Sequence, residues 1–279
     1  MALTKAPEEL LDKSLTSELT ITTADNTTQL TLKSTDADAS IGPILDLTRD
    51  SASPAADDNL GAVRFRGDDS GGNSTNYAFL NCFIEDPTDG AEDGLLKIET
   101  RVNSSSKERI TMNSTETVFN DDSADLNFRI ESNGNANMLF VDGGNDSVLV
   151  GHNTDISIAG ESHELQVYDT NFSVISGATF RNGSDGANIT LGHSRSGTIG
   201  TQTVLQDGDT MGGINFVGSD GTDMASYGAR IYVQVDGTPG SNDMPGRILF
   251  ATTPDGSSGS SDRMRIQRDY RRYVLRYFS

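Results

Sequence analysis

DDNLGAVRFRGDDSGGN at residues 57–73 and DGDTMGGINFVGSDGTD at residues 207–223 read as two copies of one β-rich module. Leu60, Gly61, Phe65 and Gly67 fall on Met211, Gly212, Phe216 and Gly218 at one fixed offset. Downstream, Gly94 matches Gly246 and Arg109 matches Arg263; upstream, LDLTR from Leu45 matches LGHSR from Leu191. Within AVRFRG the alternation places Val63 and Phe65 inward and Arg64 and Arg66 outward, the period of a strand with one buried face. A repeated module with long polar turns points to an extended structural protein more than to a single catalytic pocket.

Working outward, LLKIETRV at Leu95, INFVG at Ile214, ARIYVQV at Ala229 and RILFATT at Arg247 show the same alternation. LTIT at Leu19 and QLTLK at Gln29 add two expected strands, with Leu19 and Ile21, then Leu30 and Leu32, each on one face. Asp89-Gly90, Asp220-Gly221, Asp236-Gly237 and Asp255-Gly256 are turn signals between strands. The middle stretch DLNFRIESNGNANMLFVDGGNDSVLVG, from Asp125, is expected to form two or three short strands. Phe128 and Ile130, Leu139 and Val141, and Val148 and Val150 each share a face. One short helix is expected between Pro7 and Leu15, where Thr4, Glu8 and Glu9 suit a helix start.

The fold class is therefore all-β and elongated: two related β-sandwich-like modules joined by a small β connector. The expected division is an N-terminal attachment segment (1–17), a first module (18–113), a connector (114–164), a second module (165–266) and a basic aromatic tail (267–279). Hydrophobic content is 34%, aromatics are 6% and Trp is absent, which is lean for a monomer burying two cores. Either the chain is partly disordered, or apolar strand faces are buried between subunits. The regular strands favour assembly.

A net charge of −20 argues against a nucleic-acid partner, because phosphate backbones attract basic surfaces. No 18-residue apolar run is present, so no membrane insertion is expected. The first residues, MALTKAPEELLDKSL, carry charges where a signal peptide needs an apolar stretch, which implies synthesis in a cytoplasm. Cys82 is the only cysteine, so no disulfide closes within one chain.

Three stretches resemble segments of bacteriophage and prophage tail-fibre and tail-spike proteins. They are LKSTDADASIGPILDLTRDSASPAADDNLGAVRFRGDDSGG, RIESNGNANMLFVDGGNDSVLVG and DGTPGSNDMPGRILFATTPDGSSGSSDRMRI, and together they cover most of residues 30–266. The resemblance implies an intertwined homotrimeric appendage on a virion, joined to other tail proteins through its N-terminus and made in the host cytoplasm. It does not identify a receptor. Many relatives continue past the DRMRI-like motif into more fibre or a self-cleaving chaperone. This chain ends QRDYRRYVLRYFS, which reads either as a docking segment or as the end of a truncated frame.

Each motif with chemical potential has a plainer reading. Asp69-Ser70-Gly71-Gly72 resembles the nucleophile motif of trypsin-like proteases. A serine nucleophile needs a histidine base, upstream in that family, and the first histidine here is His152. Gly143-Gly144-Asn145-Asp146 resembles one calcium-binding β-roll turn, with Asp142 and Asp146 as ligands, but such sites need tandem copies. His152, His163 and His193 match no zinc spacing. The pairs Asp57/Asp58, Glu92/Asp93 and Asp121/Asp122 are the candidates for glycoside hydrolysis, which needs two carboxylates flanking a sugar. Arg109 and Arg263, following Glu108 and Asp262, are expected to hold turns through carboxylates or carbonyls. The reading is a non-enzymatic fibre component with no assigned catalytic, cofactor or metal residue. The alternatives are an adhesin binding a host surface glycan and, behind it, a polysaccharide depolymerase.

Overall fold

The computed structural model describes residues 19–170 and 174–268. The helix expected at Pro7 to Leu15 and the tail from Asp269 onward lie outside them. Among the described residues every regular element is a strand. Two compact units divide the chain, one of Met1–Ser106 with Thr111–Thr117, the other of Lys107–Ile110 with Val118–Ser279.

The first sheet has the order β1-β2-β3-β4-β5, with β1 Asn59–Asp68, β2 Ser74–Asp86, β3 Asp93–Val102, β4 Ser105–Met112 and β5 Thr117–Phe119. The middle sheet runs β6-β7-β8-β9, from β6 Phe128–Ile130, β7 Leu139–Asp142 and β8 Ser147–Val150 to β9 Leu165–Val167. Its last pair is parallel, and β9 lies beyond the connector boundary drawn at residue 164. The third sheet is β10-β11-β12-β13, from β10 Thr210–Val217, β11 Tyr227–Val235 and β12 Gly246–Thr252 to β13 Ser261–Ile266.

The first and third sheets share a ladder register. Gly61 pairs with Cys82 and Phe65 with Ala78; Gly212 pairs with Val233 and Phe216 with Ala229. Register shifts fall between Asn59 and Gly61 and between Phe65 and Arg66 in one sheet. In the other they fall between Thr210 and Gly212 and between Phe216 and Val217. A bulge inserts one unpaired residue and fixes the local twist, so both ladders bend at matching points. Ile84 pairs with Gly94 as Val235 pairs with Gly246. The turn entering each ladder also matches. Asp57 donates its amide to the Ile84 carbonyl and Gly208 to that of Val235, both at positive φ. Asp tolerates that left-handed backbone at a cost that Gly does not meet.

Burial follows a different rule from the expected one. The buried apolar residues are Phe140, Leu149, Leu205, Val235, Leu249 and Ala251. In the middle sheet Phe140 and Leu149 are enclosed, so the buried face is opposite to the one carrying Leu139, Val141, Val148 and Val150. Val63 and Phe65, expected inward, are 38% and 57% exposed. In each sheet the strands pack on their ladder neighbours. A sheet face is buried only when a second layer covers it, and among the described residues the main strand-to-strand contacts are with ladder neighbours.

The strands expected at Leu19 and Gln29 do not form. Leu19, Ile21, Leu30 and Leu32 stay exposed, in irregular chain. Alternation alone cannot make a strand, because the backbone donors and acceptors need a neighbour to pair with.

Candidate functional site

The two faces of the third sheet carry opposite chemistry. Cross-strand pairing sets Ile214, Ile231, Phe250 and Met264 in one row and Gly212, Val233, Ile248 and Ile266 in the next. These rows form a continuous apolar face, and much of it is open: Ile214 is 55% exposed, Phe216 52% and Ile266 45%. The first sheet repeats the arrangement, with Val63, Leu80 and Ile98 in one row and Gly61, Cys82 and Leu96 in the next.

Part of the apolar face is covered from within the chain. Leu47 lies over Gly61, and Leu191 over Gly212. Beside each leucine an arginine clasps the ladder entry. Arg49 pairs with Asp58 and Arg195 with Asp209, both at 2.9 Å. Asp58 and Asp209 each accept a further backbone amide, from Ala55 and Gln206. The spacing differs, since Leu47 stands two residues before its arginine and Leu191 four.

The opposite face of the third sheet satisfies itself with polar contacts. Leu249 and Ala251 are buried there, beneath long side chains. Arg230 Cζ lies 4.7 Å from the Tyr227 ring centroid and 5.0 Å from that of Tyr232. Its Nε donates to Asn215 Oδ1 at 3.0 Å. The Tyr232 hydroxyl donates to Asp262 Oδ1 at 2.6 Å, and burial with this carboxylate raises the tyrosine pKa. At the sheet end Arg247 donates to Gln234 and to Asp236, and Arg265 reaches the same Asp236 oxygen at 2.9 Å. Burial pushes the Asp236 carboxyl up, but hydrogen bonds from Arg247 and the Arg268 amide, with the charges of Arg265 and Arg247, hold it below its ordinary range.

Neither polar cluster was read from the sequence. Its members lie on different strands, and none forms a short motif. Asp236 was legible only as a turn residue.

The residues singled out from sequence are dispersed. Asp69 Oδ1 accepts the amides of Gly71 and Asn73, so Asp69-Ser70-Gly71-Gly72 is a hairpin turn; these bonds hold its carboxyl low. Asp220 does the same for Thr222 and Asp223 in the matching hairpin. Asp142 accepts the Gly144 amide and the Asn145 side chain, and Asp146 takes a positive φ in the β7–β8 turn. His152 stacks on Tyr168 at 4.4 Å with Nδ1 on the Thr154 carbonyl, while His193 Nδ1 meets the Thr210 carbonyl. The His163 carbonyl accepts the buried Gln166 amide. Asp58 is held by Arg49, Glu92 accepts the Gly90 amide, and Asp122 accepts the Glu108 amide. Among the described residues, no three of His, Cys, Asp and Glu are grouped to hold a metal ion. Arg263 binds the Thr252 hydroxyl at 2.9 Å instead of the carboxylate or carbonyl expected, because Asp262 faces Tyr232.

No protein-family model matches the chain, and no curated protein matches its sequence. Among solved structures, the carboxy-terminal domain of the bacteriophage T5 L-shaped tail fibre is 13% identical with a TM-score of 0.38. The likeness covers 89% of this chain and 94% of that one. The same domain with its intramolecular chaperone domain is also 13% identical at a TM-score of 0.38, over 89% of this chain and 64% of that chain. Similarity at this level transfers neither a fold nor a role.

Proposed function

We propose that this protein is a non-catalytic structural subunit of a phage tail fibre or similar virion appendage, assembled as a homotrimer through its apolar sheet faces. The carrying observation is the inverted burial of the third sheet. Its polar face is closed by its own side chains, whereas the face bearing Ile214, Phe216, Ile248 and Ile266 stands open. Water disfavours that arrangement by roughly 25 cal/mol for each Å² of apolar surface left exposed.

The tail-fibre assignment rests on the three sequence stretches, and trimerisation on the open faces. A shaft of this kind acts mechanically, holding host-contacting surfaces at a distance, and its long polar turns keep its outside hydrated.

The test is the solution mass of the full chain by light scattering, with and without SDS at room temperature. A particle of three chains that survives SDS is the expected result. A single chain of 29.8 kDa with a cooperative melt would overturn the assembly.

A further inference from the structure

We propose that the polar face of the third sheet carries a binding site for an acidic saccharide, centred on the Arg230 guanidinium. Among the described residues, Arg230 is held ready on this face without a carboxylate partner. Arg247 and Arg265 both engage Asp236, and Arg263 engages Thr252. Arg230 instead is gripped by neutral groups, Asn215 at its Nε and the Tyr227 and Tyr232 rings near its guanidinium. Among the described residues no carboxylate lies within ion-pair distance of it. Its Nη1 and Nη2 meet no acceptor among the described residues, although the chain's net charge is −20.

An arginine fixed in this way has already lost much of its rotamer freedom, so little ordering remains to be done when an anion arrives. Its two terminal nitrogens match two oxygens of a carboxylate or phosphate. The surroundings add what a sugar requires. Asn215 Nδ2, the Tyr232 hydroxyl and Asp262 Oδ2 offer donors and acceptors for ring hydroxyls, and the tyrosine edges offer apolar contact. The chain's negative charge repels anions at long range, but screening within about 8 Å in physiological salt leaves the short-range fork in control.

The cluster also departs from the duplicated framework. At matching ladder positions the first sheet has Phe79 for Arg230, Asn81 for Tyr232 and Asn76 for Tyr227. The latch, bulges and capped turns recur in both sheets, so the cluster is not needed to build the ladder. The site faces away from the apolar rows, and assembly through those rows leaves it open.

The test is saturation-transfer NMR and titration on the full chain. The probes are a uronic-acid oligosaccharide, a phosphorylated sugar and a neutral glucose oligosaccharide. With Trp absent, a ligand-dependent change in tyrosine fluorescence that Tyr227→Phe and Tyr232→Phe abolish reports on the site. Either acidic probe should bind, and the arm that binds names the anion; the neutral probe should bind at least tenfold more weakly. Arg230→Gln should lose at least tenfold in affinity, and Arg230→Lys, which keeps charge but not the fork, should lose a similar amount. Arg64→Gln in the first sheet should change nothing. Should Arg230→Gln misfold, Arg230→Lys and Tyr232→Phe decide the matter. No binding by either acidic probe at millimolar concentration, or equal binding by folded Arg230→Lys, would overturn the site. A monomeric mass would leave this test unaffected.

Discussion

A Cβ placed on Gly212 would lie 2.7 Å from Leu191 Cβ, closer than two such carbons approach. The matching position is slightly looser, with Gly61 at 3.1 Å from Leu47 Cβ. Neither glycine needs a left-handed backbone, so the requirement is for space alone. Gly212→Ala should therefore displace the segment around Leu191, at a cost of about 1–3 kcal/mol, and Gly61→Ala should cost less. Thermal melts with limited proteolysis between residues 191 and 205 give the readout. Equal melting of both variants and the parent would show that the leucine does not hold its segment to the sheet.

The arginine beside each leucine tests a separate contribution. Arg195–Asp209 and Arg49–Asp58 have exposed arginines and mostly covered aspartates. Exposed ion pairs are worth about 0.2–1 kcal/mol and weaken with salt, so Arg195→Gln should cost less than 1 kcal/mol and less still in 1 M NaCl. Asp209 also caps the Gln206 amide, and Asp209→Ala loses both bonds, costing about 1–2 kcal/mol. If Arg195→Gln proves the more damaging of the two, the latch and not the cap holds the entry turn.

What was legible in the sequence was what depends on neighbours along the chain. Strand alternation, the Asp-Gly turns and the matching of Gly61 with Gly212 all come from local pattern. Positive φ at Gly90, Gly221, Gly237 and Gly256 shows how directly a turn dipeptide reports its backbone. What alternation cannot say is whether a second layer exists, so Val63 and Phe65 were expected inward and stand open. The same limit removed the strands at Leu19 and Gln29, whose pattern is sound but which join no described sheet. Tyr227–Arg230–Tyr232 escaped because the starts of the second strands look alike, Tyr77 against Tyr227. The bulged register sets Tyr227 opposite Val217 as Asn76 is set opposite Arg66, and one position of slip hides the cluster.

Phe65 and Phe216 occupy matching positions and are 57% and 52% exposed. Neither belongs to the buried set, so a charge at either should leave the single chain's ladders intact. In an assembled particle the same charge would be buried between chains without a partner, which is prohibitive. Phe65→Asp with Phe216→Asp should reduce the light-scattering mass to that of one chain while keeping the β circular-dichroism signal. Arg64→Ala, on the opposite face, should leave the mass unchanged. An unaltered mass in the double variant would place the interface elsewhere on the surface.

Asp236 gives the third sheet its expected acid sensitivity. Its carboxyl is held low in the folded chain, so its contribution is present above the unfolded value of about 4 and is lost as pH falls below it. Asp69, Asp155 and Asp220 are also held low by hydrogen bonds, and they act with the same sign. The melting temperature should therefore be flat above about pH 5 and decline below about pH 4. Asp236→Asn removes the charge that Arg247 and Arg265 share, leaving a mostly covered Arg247 with Gln234 and a distant Asp207 at 3.7 Å. The variant should lose about 1–3 kcal/mol at neutral pH, and its melting temperature should fall less steeply with acid than the parent's. Parallel acid limbs in the two proteins would mean that the arginines around Asp236 do not couple its ionisation to the fold.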